Sequence, residues 1–336
     1  VIGVSLRLWE DNRRGPRVCS DLRGANSIAE LLGIPHTVLD LRSEFAEGVV
    51  KPFVQDYLHG RTPNPCVACN RDFKLGALLE WAKNQGAEYV ATGHYARLVH
   101  NPLNGHASLL RGIDQEKDQS YFLFSLSQDQ LAHTFFPLGH MNKGEVRQKA
   151  SSLGLPVADR PESQDICFGD YGALVESQAG RDDLCHGEIV DRSGRVLGHH
   201  RGIHRLTIGQ RKGLGISAPY PLYVLGIDEK TKRVIVGRRD ELGCEGLVAR
   251  SVNWIEPPEE KEFLADIQLR YRSPTVPCLV RSNGNGKCGV RFQEVLPPVT
   301  PGQAAVFYRG EQVLGGGWIE RGIKKEDVRQ QATGNR

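Results

Sequence analysis

Three cysteines in this sequence have neighbours that suit chemistry. Cys66 and Cys69 stand three positions apart in "TPNPCVACN", after two prolines and an asparagine, and Cys167 lies in "SQDICFGDYG". Because a thiolate is both a nucleophile and a metal ligand, the pair could be a metal clip, a redox dithiol or a nucleophile beside its substrate. The sequence has no second Cys-x-x-Cys, which disfavours structural zinc, and the prolines precede the pair, unlike a thioredoxin-type dithiol.

An iron–sulfur cluster is a further alternative for the same cysteines. Thiolates from Cys66, Cys69 and Cys167 would hold three irons of a four-iron cluster and leave one iron open to a ligand. The residues alone do not choose between cluster and nucleophile. The other cysteines have no ligand spacing, and we expect structural or surface thiols at Cys19, Cys185, Cys244, Cys278 and Cys288.

Two further stretches in the first half could bind a ligand. "ATGHYARL" places Gly93 and His94 at the C-terminal end of a predicted strand, where open parallel sheets bind ligands, although an ordinary turn has the same pattern. "DQEKDQSYFLFSL" sets Lys117, Asp118 and Gln119 before an apolar run. These side chains could contact phosphates or base edges, or begin a solvated helix.

Basic residues interleave with glycine and tyrosine in the second half. "LTIGQRKGLGI" carries Arg211 and Lys212 in a glycine-rich turn, and "LRYRS" brackets Tyr271 with Arg270 and Arg272. Such a pattern suits phosphate contact and base stacking, and a charge-protected strand edge is the alternative.

The elements that must position these residues change in character along the chain. Strand signals in "VIGVSLRLW", "HTVLDL" and "EYVATGHYARLV" alternate with helix signals in "NSIAELLG" and "FKLGALLEWAKNQG", which predicts a parallel α/β sheet. From about Cys185 onward, short β-rich runs separated by Gly, Asp, Asn and Pro predict one or two β domains. Paired prolines and four acids place the boundary between those β domains near residues 253–263.

The length and net charge of the chain limit the number of domains and the kinds of partner that it can have. A chain of 336 residues predicts two or three domains, and a net charge of +3 permits a nucleic-acid partner without establishing one. No apolar run reaches the roughly 18 residues that a membrane helix needs, and the first residues lack the basic start of a signal peptide. We therefore expect a cytoplasmic protein that does not span a membrane.

Seven segments, taken in order, closely resemble the tRNA-specific 2-thiouridylase family: "GRTPNPCVACNRDFKLGALL", "ATGHYARL", "KDQSYFL", "ICF", "TIGQRKGLGI", "LRYRS" and "TPGQAAVFY" with "VLGGGWIE". The resemblance covers Val1 to about Glu320. It implies a nucleotide-binding α/β domain of the adenine nucleotide alpha hydrolase type with a parallel sheet, then a small central β domain and a C-terminal β-barrel. The expected ranges are 1–180, 181–245 and 246–323, with a polar tail at 324–336.

The resemblance also implies an activity, which is ATP-dependent 2-thiolation of the wobble uridine of tRNA. ATP, with Mg²⁺, adenylates the C2 oxygen, and a cysteine persulfide charged by a sulfur carrier protein delivers sulfur to C2. Cys167 matches the persulfide carrier and Cys69 the nucleophile, whose attack leaves a Cys69–Cys167 disulfide for a reductant to reopen. Relatives commonly carry Asp in place of Cys66, so an iron–sulfur-dependent sulfurtransferase and an inactive tRNA-binding protein stay open as alternatives.

Further site residues follow from the same match. The implied contacts are Leu6 and Gly93 to the nucleotide, Asn64, Pro65 and Cys66 to the target base, and His94, Lys117, Asp118, Gln119, Arg270, Tyr271 and Gln303 to tRNA. The family's S-G-G-x-D-S loop, which wraps pyrophosphate at a helix start, does not occur in this sequence. We expect either that the sequence starts after that loop or that ATP is not held in the usual way.

Overall fold

A computed structural model describes residues 1–11, 17–18, 22–103, 105–156, 166–167, 171–180, 184 and 186–324. The chain divides into two compact units, one of Val1–Pro52 with Pro65–Tyr171 and one of Phe53–Asn64 with Gly172–Arg336. None of the helices in these ranges is both long and apolar enough to cross a membrane. The predicted polar tail lies almost entirely outside the described residues.

Helices and parallel strands alternate in the first half, as the sequence predicts. In chain order the elements are β1 (Gly3–Arg7), β2 (Glu10–Asp11), β3 (Arg17–Val18), α1 (Leu22–Leu32), β4 (His36–Asp40), α2 (Arg42–Phe45), α3 (Lys51–Leu58), α4 (Pro65–Ala68), α5 (Leu78–Asn84), β5 (Val90–Ala91), β6 (Ala96–His100), β7 (Ala107–Arg111), α6 (Gln128–Ala132), β8 (Thr134–Phe135) and α7 (Lys143–Ser152). Two π-helical segments, Ala46–Val50 and Cys69–Ala77, join α2 to α3 and α4 to α5.

The strand pairing confirms the parallel character of this half. β1 and β4 run parallel from Gly3 opposite His36 to Arg7 opposite Asp40, and β5 pairs in parallel with β8. β6 and β7 form an antiparallel hairpin. The prediction of one strand over "EYVATGHYARLV" is wrong in one respect, because the chain leaves the strand at Thr92 and returns only at Ala96.

The helix predicted over "FKLGALLEWAKNQG" is present and packs as its spacing indicates. Leu75, Leu79 and Ala82 are buried, while Leu78 is half-buried. Gly86, with φ of 77°, ends the helix in a left-handed conformation that glycine adopts without steric cost.

The second half is built mainly of β-strands. After α8 (Tyr171–Gln178), its strands are β9 (Gly187–Val190), β10 (Val196–His200), β11 (Tyr223–Asp228), β12 (Arg233–Gly237), β13 (Cys244–Trp254), β14 (Glu262–Gln268), β15 (Val276–Ser282), β16 (Lys287–Leu296), β17 (Ala304–Arg309) and β18 (Gln312–Ile323). β9 to β12 form a sheet in the order β10-β9-β12-β11 around a core that includes Ile189, Val224 and Val234.

The last six strands close into an antiparallel barrel. They follow the order β13-β16-β15-β14-β17-β18, and β13 also pairs with β18, which closes the ring. Leu247, Ile267, Val280 and Phe307 fill its interior. The expected domain seam at 253–263 is therefore wrong, because that stretch joins β13 to β14 of one barrel. Its prolines and acids form a connection between strands rather than a linker.

Candidate functional site

The Cys-x-x-Cys pair lies where one helix type changes into another. Cys66 is half-buried in α4, and Cys69, 7% exposed, begins the π-helical segment. Residues three apart on a helix lie on neighbouring parts of one face. The two sulfurs therefore lie toward the same side of the helix, and Cys69 is the more enclosed.

The π-helical turn is held from outside by Gln130. Its Nε2 donates to the carbonyl oxygens of Arg71, at 2.6 Å, and Leu75, at 2.9 Å. A methyl group added at Gly76 would lie 2.7 Å from Arg71 O, so the wide turn also requires glycine there. Gln130 is itself fixed by a capping box with Ser127 at the start of α6. Such π-turns are frequent at functional sites, and this one sets the direction in which the helix leaves Cys69.

A buried polar network joins the residue after Cys69 to the turn after β5. Asn70 Nδ2 donates to Phe122 O at 3.3 Å, which leaves Asn70 Oδ1 to accept from His94 Nε2 at 3.2 Å. His94 Nδ1 lies 2.8 Å from Thr92 Oγ1 and accepts the hydroxyl proton. The ring is 7% exposed and packs edge-on against Phe136.

Burial keeps the His94 imidazole neutral. Desolvation, with a smaller contribution from the positive charge of Lys74, lowers the pKa of His94 to about 3. A neutral ring can donate from Nε2 and accept at Nδ1 together, which is the pattern that the network needs. Because His94 is enclosed, its ring serves as an internal link rather than as a contact at the protein surface.

The two expected nucleotide contacts lie in the same unit. Leu6 is half-buried in β1, opposite Leu39 of β4. Gly93 follows the end of β5, as predicted, and a methyl group added to it would meet only Leu138, at 3.5 Å. Gly93 thus stands on the carboxyl side of a parallel strand, beside the Thr92–His94 link.

The Lys117–Gln119 segment leads into the short 3-10 helix Ser120–Phe122, whose N-cap residue is Gln119, and it is partly buried rather than solvated. Asp118 is 7% exposed, and its carboxylate accepts from Arg111 Nη1 at 2.7 Å and from Ser120 Oγ at 2.9 Å. Gln119 Oε1 accepts from Tyr95 N at 3.1 Å. Asp118 and Gln119 therefore organise the loop, and Lys117 is half-buried beside them.

Cys167 differs from Cys69 in exposure. Its side chain is exposed, whereas that of Cys69 is buried. The structure gives both as thiols, with no disulfide between them, and the same holds for Cys66, Cys244, Cys278 and Cys288. The last three are buried, as expected for structural thiols, while Cys19 and Cys185 lie outside the described residues.

The cluster hypothesis finds no support in the ligand geometry. Within the ranges that the structure describes, no group of three or more His, Cys, Asp or Glu side chains could hold a metal ion. Cys66, Cys69 and Cys167 are not gathered as a ligand set, so these residues as placed do not fit an iron–sulfur cluster.

Thr62, four positions before Cys66, is hydrogen-bonded to the barrel. Gln303 Nε2 donates to Thr62 O at 2.8 Å, and Thr62 N donates to Pro301 O at 2.9 Å. Gly302 has φ of 90°, and a methyl group added there would lie 3.0 Å from Thr62 N and O, so only glycine permits this approach. Gln303 thus positions the backbone that leads to Asn64, which is half-buried.

Arg270 and Tyr271 lie on a tight turn after β14. Ser273 N and Oγ both donate to Arg270 O, at 3.1 and 2.9 Å. Arg272 takes a left-handed conformation with φ of 62°, and its guanidinium lies 5.2 Å from the centre of the Tyr271 ring. The Arg270 guanidinium is exposed but donates to Thr300 Oγ1 at 2.6 Å.

Sequence reasoning missed Asn70, Thr92 and Gln130. Asn70 directly follows Cys69, so its position alone could have marked it. Gln130 gives no signal, since its contacts with Arg71 and Leu75 span 59 and 55 positions.

Three protein-family models match successive ranges of the chain and define its domain composition. The family model described as "tRNA methyl transferase HUP domain" matches residues 1–170, "tRNA methyl transferase PRC-barrel domain" matches 180–238 and "Aminomethyltransferase beta-barrel domain" matches 244–319. The fold is thus a HUP domain followed by a PRC-barrel and a C-terminal barrel, which confirms the predicted fold class.

Curated relatives then define the family. The chain is 48% identical over 335 residues to the tRNA-specific 2-thiouridylase MnmA of Geotalea uraniireducens, covering 96% of this chain and 89% of the relative. It is 48% identical over 332 residues to the MnmA of Geobacter metallireducens, covering 95% and 90%. With that of Syntrophotalea carbinolica, identity is 49% over 323 residues, covering 95% and 91%. The chain belongs to the tRNA-specific 2-thiouridylase family of tRNA sulfurtransferases, as the motifs indicate.

Proposed function

We propose that this protein thiolates the wobble uridine of tRNA at C2, with ATP activating the C2 oxygen and Cys167 carrying the sulfur as a persulfide. The contrast between Cys167 and Cys69 carries the proposal. An exposed thiol can be reached by a persulfide-donating carrier protein, and a buried thiol suits a step from which water must be kept away.

The sulfur steps balance as thiol–disulfide exchanges. The Cys167 thiolate attacks the outer sulfur of the donor persulfide, so Cys167 becomes a persulfide and the donor leaves as a thiolate. The Cys69 thiolate then attacks the inner sulfur of that persulfide and releases hydrosulfide. A Cys69–Cys167 disulfide remains, which a dithiol reductant returns to two thiols.

The acceptor is activated before sulfur arrives. The uridine C2 oxygen displaces pyrophosphate from the α-phosphorus of ATP, which makes AMP the leaving group. Hydrosulfide adds at C2, AMP departs with the oxygen, and loss of a proton leaves the C2=S group. Leu6 and Gly93 are the proposed nucleotide contacts, and Mg²⁺ would accompany the phosphates.

The remaining expected residues have roles consistent with their positions. Asn64, Pro65 and Cys66 would meet the target base, because they lie three to five positions before Cys69. Lys117, Arg270 and Tyr271 would face the tRNA. His94, Asp118, Gln119 and Gln303 act by positioning, since their polar atoms hold other parts of the protein. The domain ranges 1–180, 181–245 and 246–323 and a cytoplasmic location belong to the same proposal.

Serine substitutions test the assignment. We expect Cys167→Ser to abolish thiolation and Cys69→Ser to lower it nearly as far, with tRNA binding close to that of the parent. Thiouridine is measured by retardation of the tRNA on a mercury gel, and Cys185→Ser is the control with normal activity. Parental activity in either of the first two variants would contradict the proposed roles.

A further inference from the structure

Three cavities on the surface of the second unit are neighbours that share lining residues. The largest, of about 820 Å³, is lined by Arg211, Arg239 and Arg270 among other residues. A second, of about 430 Å³, shares Arg211 and extends to Tyr220. A third, of about 270 Å³, shares Arg239 and Tyr223 and also reaches Tyr220. We refer to the surface lined by these three cavities, which includes Arg211, Tyr220, Tyr223, Arg239 and Arg270, as the basic groove.

The charge of the basic groove has one sign over most of its length. The three arginines of the largest cavity have no Asp or Glu beside them among the described residues that line it. Asp240 enters only the smallest cavity. The next acid along the chain, Glu241, lies 3.6 Å from Arg192 and also accepts from Arg238 N at 2.6 Å. The groove therefore presents a positive surface that suits an anionic ligand.

Each arginine lies on a backbone segment that hydrogen bonds or a short helix hold in place. At Arg211, Gln210 Oε1 accepts from Thr207 N at 3.0 Å while its Nε2 donates to Lys212 O at 2.9 Å, which locks the turn. The neighbouring Gly209 has φ of 87°, and a methyl group there would lie 2.9 Å from Pro298.

The other two arginines have equally defined supports. Arg239 begins the short helix Arg239–Leu242. Arg270 begins the turn closed by Ser273. An anion would thus meet arginines whose backbone is already in place, which lowers the entropy cost of binding.

An aromatic platform lies at one end of the groove. The Arg238 guanidinium lies 4.3 Å from the centre of the Tyr220 ring, and the Tyr220 side chain is 43% exposed. Arginine forks match phosphate geometry, and an exposed tyrosine can stack on a base. Leu269, Pro297 and Pro298 add apolar surface between these features.

We propose that the basic groove binds the sugar–phosphate backbone of the substrate tRNA, with Arg211 and Arg239 contacting phosphates and Tyr220 stacking on a base. This inference rests on the proposed function, because it names a surface for the same RNA. RNA is favoured over an acidic protein segment because the groove combines guanidinium groups with an exposed aromatic ring.

The test is tRNA binding by the full chain over a range of salt concentrations. In the double variant Arg211→Ala with Arg239→Ala, we expect at least a tenfold weaker Kd near physiological salt. The slope of log Kd against log salt should fall by about 1.4 to 1.8, since each of the two lost phosphate contacts removes roughly 0.7 to 0.9. Arg291→Ala with Arg309→Ala is the matched control, because both residues are exposed on the barrel and line none of the three cavities.

A charge-conserving variant and a second polyanion complete the binding test. Arg211→Lys with Arg239→Lys should keep the salt slope, because it keeps both charges. A parental Kd and slope in the alanine double variant, with the parent binding tRNA normally, overturns the groove and leaves the proposed function standing. Failure of the parent itself to bind tRNA overturns the proposed function. If the alanine double variant loses binding to poly-glutamate but keeps parental tRNA binding, the groove binds an acidic protein segment and the RNA proposal is refuted.

Discussion

His94 Nε2 lies 3.2 Å from Asn70 Oδ1, and this hydrogen bond connects the turn after β5 to the residue that follows Cys69. Both side chains are buried, so neither can exchange this partner for water without opening the core. Gly93 and Cys69 are the proposed nucleotide and sulfur positions. A change at one of them can therefore reach the other through two side chains.

Removing the His94 ring should destabilise the first unit. We expect His94→Ala to lower the free energy of unfolding by about 2–4 kcal/mol, because it leaves a cavity and removes the buried partners of Asn70 and Thr92. His94→Gln should cost less, since an amide can donate and accept. Urea denaturation measures both, with the exposed His140→Ala as control. Equal stability of His94→Ala and His140→Ala would contradict a structural role for the ring.

The free energy of unfolding of the parent should decrease as the pH falls between the two pKa values of His94. Its folded pKa is about 3, against an ordinary value of 6.5, so between these limits the unfolded chain binds a proton that the folded chain does not. The contribution is complete above pH 6.5 and declines as the pH falls toward 3, by up to about 1.4 kcal/mol per pH unit. Urea midpoints measured from pH 7 to pH 4 should show a flatter dependence in His94→Gln. Parallel curves for the two proteins would refute the assignment.

Alkylation should distinguish the cysteines by burial. We expect iodoacetamide to modify Cys167 first, the half-buried Cys66 next and Cys69 at least about tenfold more slowly than Cys167, because only accessible thiolates react. Peptide mass spectrometry of timed samples gives the order. In urea all sites should react at similar rates, which controls for intrinsic differences. Labelling of Cys69 as fast as Cys167 in the folded protein would show that Cys69 is open to solvent.

The π-turn after Cys69 should depend on the Gln130 amide. Gln130→Glu replaces a donor with a carboxylate that faces the carbonyl oxygens of Arg71 and Leu75, and we expect a loss of about 2–3 kcal/mol in unfolding free energy. Thiolation should fall further than stability explains, because the helix leaving Cys69 changes direction. Asp129→Asn, at the exposed neighbouring position, is the matched control. Normal thiolation by folded Gln130→Glu would separate the turn from catalysis.

Local signals in the sequence predict much of this fold, and long-range contacts account for what they miss. The helix end at Gly86 and the turn at Gly93 follow from residue type and spacing within a few positions. The π-turn does not, because it depends on Gln130, which is remote in sequence. His94 beside a glycine looks like a surface residue until Asn70 and Phe136 enclose it. The stretch 253–263 looks like a linker because only the pairing of β13 with β18 shows that it lies within one barrel.

The interior of the barrel contains two cysteines whose burial affects the proposed transfer of sulfur. Cys278 and Cys288 are fully buried, and burial raises the pKa of each to about 12. At pH 8 the ionised fraction of such a thiol is on the order of one in ten thousand. Only a thiolate takes sulfur from a persulfide, so these two cysteines should not react in the proposed thiol–persulfide exchange. If sulfur passes between Cys167 and Cys69 as proposed, the protein thereby avoids losing that sulfur to Cys278 or Cys288.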